Sequence, residues 1–239
     1  VGLPDDKWGE SVAAFVAFRA GHSAEEAELT AIAQALRIAG AGWLQIVSDF
    51  QDQQGEIGLF RRLAKESGRP ITITMIQSDA RPDGWRELMQ QIDEANGEGL
   101  RITAQIRSRP TSVLLGLELT QNPFMGRPSY RTIAHLPIAE RVEILRQPEF
   151  RARLLAEAYE GSRRGAERIE RWDRMFPLGD PPDYEPPQSA SFGARAARAG
   201  RDPRDLIFDY MIEGDGRNFI FAPFANYAAY NLDCCREMM

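Results

Sequence analysis

Residues 70–80 read PITITMIQSDA. Pro70 opens the stretch with a fixed φ and no N–H to donate, and Ile71 to Ile76 are branched or apolar throughout. Gln77 then begins a polar run. A short apolar run bounded by turn residues is the pattern of a strand buried on both faces. Its polar end matters for function, because α/β folds place their sites at the carboxyl ends of parallel strands.

The segments on either side repeat the same unit. Ile57, Phe60 and Leu63 share one helix face upstream, and Gly68-Arg69-Pro70 stops that helix. Further back, Leu29, Ile32, Ala33 and Leu36 fall at i, i+3, i+4 and i+7, and Gly40 to Gly42 separates them from WLQIVSDF, residues 43–50. Downstream, Trp85, Leu88, Met89 and Ile92 form a third apolar face that ends in NGEG and leads into LRITAQIRSRP, residues 100–110. The order is β-α-β-α-β, an α/β pattern. Helices of this length between strands imply parallel pairing, hence a TIM-type barrel or an open doubly wound sheet.

Asp49, Gln77 and Gln105 stand 28 residues apart at the three strand ends, which predicts that they share one rim. Strand alternation groups Gln45 with Val47 and Asp49, Ile73 with Met75 and Gln77, and Thr103 with Gln105 and Arg107. Ile102, Ala104 and Ile106 suit a helix layer, so Gln105 and Arg107 are expected to point inward. Asp49, Gln77, Gln105 and Arg107 are therefore the candidate substrate-binding residues. Each has a competing structural reading. Asp49 in SDFQD also fits a helix N-cap, and the glutamines fit backbone-bonding groups at strand ends. Arg107 and Arg109 could grip a substrate carboxylate with their forked guanidinium groups or pair with a loop acid such as Asp79.

Beyond residue 110 the repeat loosens. SVLLGLEL, residues 112–119, is a predicted strand, and a helix opens at Pro148 with Phe150, Leu154, Leu155 and Ala158 on one face. PLGDPPDYEPP, residues 177–187, carries five prolines and is expected to be an irregular excursion over a barrel mouth. Asp202-Pro203 offers an N-cap followed by proline in the first helical turn, with Leu206, Ile207, Tyr210 and Met211 on the apolar face. NFIFAPF, residues 218–224, is the predicted last strand.

Composition bounds the function. The 239 residues are 43% hydrophobic, enough for a sizeable core, and a net charge of −6 provides no global field for nucleic acid. No run reaches the ~18 apolar residues of a membrane span, and VGLPDDKWGE at the start is not a signal sequence. The only cysteines, Cys234 and Cys235, are adjacent and form neither a CxxC motif nor a disulfide framework. A reducing, cytoplasmic setting and a small-molecule partner, with no nucleic acid and no membrane, are the expectations. The chain lacks an initiator Met and ends inside what reads as a packed element, so it is expected to be a fragment.

Several segments together carry a resemblance. AGAGWLQIVSDF, RRLAKESGRPITITMIQ, AQIRSRPTSVLLGLELTQNPF, MFPLGDPPDYEPP and FAPFANYAAYNLDCCREMM agree in order and spacing with the N-acyl-D-amino-acid deacylase branch of the metal-dependent amidohydrolases, from about residue 24 to 239. The resemblance implies a barrel, here a partial TIM-type (β/α) barrel, and hydrolysis of the amide of an N-acyl amino acid. It also implies zinc, held by an HxH motif and by ligands on middle strands, and a catalytic Asp on the last strand. This chain departs from that pattern. Its two histidines, His22 and His135, are neither paired nor at strand ends. Met75 and Gln105 stand where middle-strand histidines belong, the HxH strand would precede the chain, and the final Asp would lie beyond Met239. No metal is expected in this chain, which by itself is expected to be inactive.

Residues 1–23 resemble something else. VGLPDDKWGESVAAFVAFRAG looks like the start of the C-terminal domain of acyl-CoA synthetases, the AMP-forming ligases. Residues 1–23 are accordingly expected to be a separate segment from a chimera or misjoined frame, and to pack poorly against 24–239. Three functional classes result: an amidohydrolase-like protein, an acyl ligase supported by residues 1–23 only, and a non-catalytic barrel that binds acyl or carboxylate ligands.

Overall fold

A computed structural model describes residues 2–5, 9–17, 26–48, 50–161 and 169–239, with backbone alone for 2–5, 9–17, 26 and 27. The chain divides into two compact units, Val1–Arg107 with Glu237–Met239, and Ser108–Arg236.

The first unit contains strands β1 (Gly2–Asp5), β2 (Gly9–Ala17), β3 (Trp43–Val47), β4 (Ile71–Thr74) and β5 (Ile102–Gln105), with helices α1 (Glu26–Ala39), α2 (Gln53–Ser67) and α3 (Gly84–Gly97). The sheet order is β1-β2-β3-β4-β5, β1 being antiparallel to β2 and the other neighbours parallel. The strands are thus consecutive in sequence and in space. The register aligns Leu44 with Ile71 and Ile102, and Ile46 with Ile73 and Ala104. Leu44, Ile46, Ile71, Ile73 and Ile102 are all buried, together with Leu29, Ala33 and Leu36 of α1, Ile57, Phe60 and Leu63 of α2, and Trp85, Leu88 and Ile92 of α3. The helix faces expected from the 3.6-residue period are the ones that enter the core, with Ile32 and Met89 only half-buried.

The termini of these elements follow from local chemistry. The Asp52 carboxylate accepts the Gly55 N–H at 3.1 Å and caps α2, while Gly68, at φ 62°, ends the helix with its N–H on the Ala64 carbonyl. At the amino ends of the strands, Arg69 donates to the carbonyls of Gly40 and Gly42, and Arg101 donates to that of Gly68. The Asn96 amide bonds both the N–H and the carbonyl of Ile102 at 2.9 Å, standing in for a neighbouring strand at the start of β5.

Of residues 1–23, the described stretches Gly2–Asp5 and Gly9–Ala17 are strands of this sheet. Gly9–Ala17 runs parallel beside β3 over five residue pairs, from Ala13 with Trp43 to Ala17 with Val47. The expectation of poor packing for residues 1–23 concerns side chains outside the described residues.

The second unit departs from the βα pattern. Its strands β6 (Thr111–Leu115), β7 (Phe176–Leu178) and β8 (Phe219–Ala225) form an antiparallel sheet in the order β6-β8-β7. Its α-helices are α4 (Pro128–Ile133), α5 (Ile138–Leu145), α6 (Pro148–Ala156), α7 (Phe192–Ala199) and α8 (Pro203–Ile212), with α9 (Asp233–Met238) starting in it and its last two residues counted with the first unit. SVLLGLEL and NFIFAPF are strands as expected, but they pair with each other antiparallel instead of extending the parallel sheet. The proline-rich segment also begins inside a strand. Pro177 lies opposite Ile220 in β7, an edge strand, where a residue without an N–H is tolerated.

The core of this unit joins Leu115, Phe124, Tyr130, Leu145, Phe192, Phe208 and Ile220, and a smaller cluster joins Phe176, Phe221 and Tyr227. Asp202 caps α8 as predicted, accepting the Arg204 N–H at 2.8 Å ahead of Pro203 in the first turn. Arg127 is 1% exposed and bonds the carbonyls of Leu154 and Glu157, tying α4 to the end of α6. Burial lowers its pKa.

Candidate functional site

The carboxyl ends of β3, β4 and β5 are the candidate site, and strand register decides which side chains meet there. Thr74 and Gln105 are paired neighbours at the carboxyl ends of β4 and β5, and Gln45, Thr72 and Thr103 are paired two residues earlier along the strands. These residues occupy the face opposite the buried Leu44, Ile73 and Ile102. It is an open polar face: Thr103 and Gln105 are exposed, and Gln45, Thr72 and Thr74 half-buried. Gln45 Nε2 donates to Gln105 Oε1 at 2.7 Å. Because β4 lies between their strands, roughly 9–10 Å separates the two backbones, and the two amides lean toward each other across β4 to meet. Thr72 Oγ1 is buried on this face without a hydrogen-bond partner.

The equal 28-residue spacing of Asp49, Gln77 and Gln105 is not the structural repeat. Paired residues are 27 apart between β3 and β4, as in Gln45 and Thr72, and 31 apart between β4 and β5, as in Thr72 and Thr103. Gln105 is therefore level with Thr74, and Gln77 lies three residues beyond β4. Gln77 is 7% exposed, and its Nε2 donates to the Pro82 carbonyl at 3.2 Å. It supports the loop before α3, while Gln105 faces the open side. Asp49 lies outside the described residues. Arg107 is exposed two residues past β5, and the Arg109 guanidinium stacks on the Tyr184 ring at 5.3 Å.

Two features escaped the reading of the sequence. Gln45 was placed in its alternation group, but only the register shows that it reaches Gln105. Ser48, just after β3, donates to Glu56 of α2 and accepts the Phe50 N–H at 3.1 Å, fixing a turn in which Phe50 has φ 50°. A serine eight residues before a glutamate is no recognisable motif, which explains the omission.

The described residues of this rim do not fit a zinc ion. Zinc takes His, Cys or carboxylate ligands, three or four at a time, whereas the described residues of the open face present neutral amides and hydroxyls. Met75 is fully buried, its N–H donating to the Gln105 carbonyl at 3.1 Å, and His135 is exposed in the connection between α4 and α5. Among the described residues, no three His, Cys, Asp or Glu side chains converge.

A consecutive parallel βα sheet with a polar carboxyl rim defines an α/β protein whose ligand site is sought at its strand ends. The comparison with protein families makes this more specific: the model described as "Amidohydrolase family" matches residues 2–201, and the chain belongs to that family. The match runs through residues 2–23 and on into the second unit. No curated protein and no solved structure matches the chain. Among the described residues, no helix is long and apolar enough to cross a membrane.

Proposed function

We propose that this amidohydrolase-family chain binds an N-acyl-D-amino acid, or a closely related amide, on the open face at the carboxyl ends of β3, β4 and β5, and that the chain alone does not hydrolyse it. The observation that carries the reading is the Gln45–Gln105 amide pair on that face. Each amide can donate to and accept from the substrate's own amide, so a bound amide replaces the glutamine–glutamine bond with equivalent ones. Arg107, just beyond, supplies a positive charge for a substrate carboxylate. The sheet is read as part of a (β/α) barrel. Support comes from its consecutive strand order, since a doubly wound sheet reverses direction at a switch point and the parallel strands here do not.

The test uses the purified chain with zinc and a panel of N-acyl-D-amino acids. Binding without turnover above background is expected. Gln105→Ala and Arg107→Ala should each weaken binding by about 3- to 30-fold, the range of one lost hydrogen bond to a neutral or charged group. Stoichiometric, tightly held metal together with metal-dependent turnover would overturn the proposal. Unchanged affinity in both variants would move the site elsewhere.

A further inference from the structure

Away from the sheet rim, Cys234 and Cys235 lie in α9 with their Sγ atoms 4.0 Å apart. They are 7% and 1% exposed, and neither is in a disulfide. Their spacing is poor for forming one. A disulfide closes at about 2.05 Å between sulfurs, with Cα atoms about 4.4–6.8 Å apart, whereas consecutive Cα atoms are held about 3.8 Å apart across a trans peptide. Closure would require the helix to unwind.

The same spacing suits two thiolates that share one ion. With metal–sulfur bonds of about 2.3 Å, sulfurs 4.0 Å apart subtend an angle of about 120°, and opening them to about 4.6 Å gives a linear pair. Zinc would require two more ligands, and no group of three His, Cys, Asp or Glu converges among the described residues. A soft monovalent ion is satisfied by fewer ligands, and thiolates select such ions. We propose that Cys234 and Cys235 form a two-thiolate site for a soft cation of the Cu(I) class.

Binding converts two S–H groups into two Cu–S bonds, releases two protons and leaves copper in the +1 state, so no oxidant or reductant takes part. The bound pair carries one net negative charge, which the neighbouring Arg236 offsets and Glu185 opposes. Each thiol must give up its proton to bind the ion, so affinity should rise with pH.

The test is an anaerobic titration of the full chain with Cu(I) against a chromogenic Cu(I) chelator. One ion per chain is expected, with excess Zn(II) failing to displace it. Cys234→Ser and Cys235→Ser should each lower affinity by at least about 100-fold, since each removes one of two ligands. Half an ion per chain, displacement by Zn(II), or either variant binding as well as the parent would overturn the site. Copper X-ray absorption on the unaltered chain gives a readout independent of the variants' folding. Two sulfur neighbours support the proposal, and a shell of nitrogen or oxygen neighbours overturns it.

Discussion

The two units build their cores from different side chains by different pairing rules. The first has an aliphatic core on consecutive parallel strands, with Leu44, Ile46, Ile71, Ile73 and Ile102 along the sheet. The second mixes aliphatic chains with many more buried rings than the first, and all six tyrosines of the chain belong to it. Phe208 packs edge-on against Phe124 with centroids 5.6 Å apart, and Phe176 touches the rings of Phe221, Tyr227 and Tyr230. A parallel sheet covered by helices is filled well by branched aliphatic chains in a regular pleat. An antiparallel sheet of three short strands has fewer rows to fill, and the large flat rings close the gaps between its helices and loops.

Truncation in each core is the strongest way to probe this contrast. Phe208→Ala removes a fully buried ring that also carries the Arg151 guanidinium at 4.9 Å, and should cost about 3–5 kcal/mol. Ile46→Ala, at a fully buried position of the parallel sheet, should cost about 2–4 kcal/mol. Segment-resolved hydrogen exchange should show protection falling in β6 and β8 for the first variant and in β3 and β4 for the second. Comparable losses from both variants in the same strands would contradict the assignment of two cores.

Alkaline pH should separate the units next. Burial raises the phenol pKa of Tyr210, Tyr227 and Tyr230, and Tyr227 also donates to the Pro186 carbonyl at 2.6 Å. A tyrosine whose folded pKa lies above the unfolded value of about 10 keeps its proton longer when folded. Its contribution to stability is complete below pH ~10 and is lost as pH rises from there through the folded pKa. The second unit should therefore lose stability above that pH through its tyrosines, and Tyr227→Phe should remove the largest share. The first unit contains no tyrosine. Phenolate absorbance followed together with strand exchange would check this, and a tyrosine titration that proceeds freely near pH 10 with no loss of protection would refute it.

The same contrast explains what could be read from the sequence. The helices and strands of the first unit each carry their own period, so Leu29, Ala33 and Leu36, or Ile57, Phe60 and Leu63, announce a buried face without reference to distant residues. The polar rim was half legible. Gln105 was assigned to the face away from the helix layer, expected to point inward, and that face is an open one; Gln77 was misplaced because helix and loop lengths differ between the two βα units, so equal spacing along the chain did not mean equal height on the sheet. In the second unit β6 pairs with a strand about a hundred residues later, Thr111 opposite Ala225 and Leu115 opposite Ile220. Local periodicity shows that each is a strand and carries no information about its partner, so an antiparallel sheet was taken for a continued barrel. Charged contacts such as that of Arg109 with the Tyr184 ring depend on the same distant pairings.

The smallest effect compares the two helix caps. Asp52 in the first unit and Asp202 in the second each accept a backbone N–H at a helix start, at 3.1 and 2.8 Å. Replacing either with Ala should cost about 1 kcal/mol at neutral pH. Asp202 is also gripped by the Arg204 side chain at 2.6 Å, and this bond, followed by the Arg204 backbone N–H, holds its pKa below the usual carboxylate range. A depressed folded pKa gives stability that is present above the unfolded value of about 3.9 and is lost as pH falls through the folded one. Because the pair is partly exposed, water and salt weaken it, and the charge contribution should be a few tenths of a kcal/mol. Asp202→Asn separates the two parts, since the amide oxygen still accepts the N–H while the charge is gone. It should retain most of the cap at neutral pH and flatten the stability profile below pH ~4, measured by urea denaturation across pH. An Asn variant as damaging as Ala at neutral pH would show that the charge on Asp202, and not its accepting oxygen, starts α8.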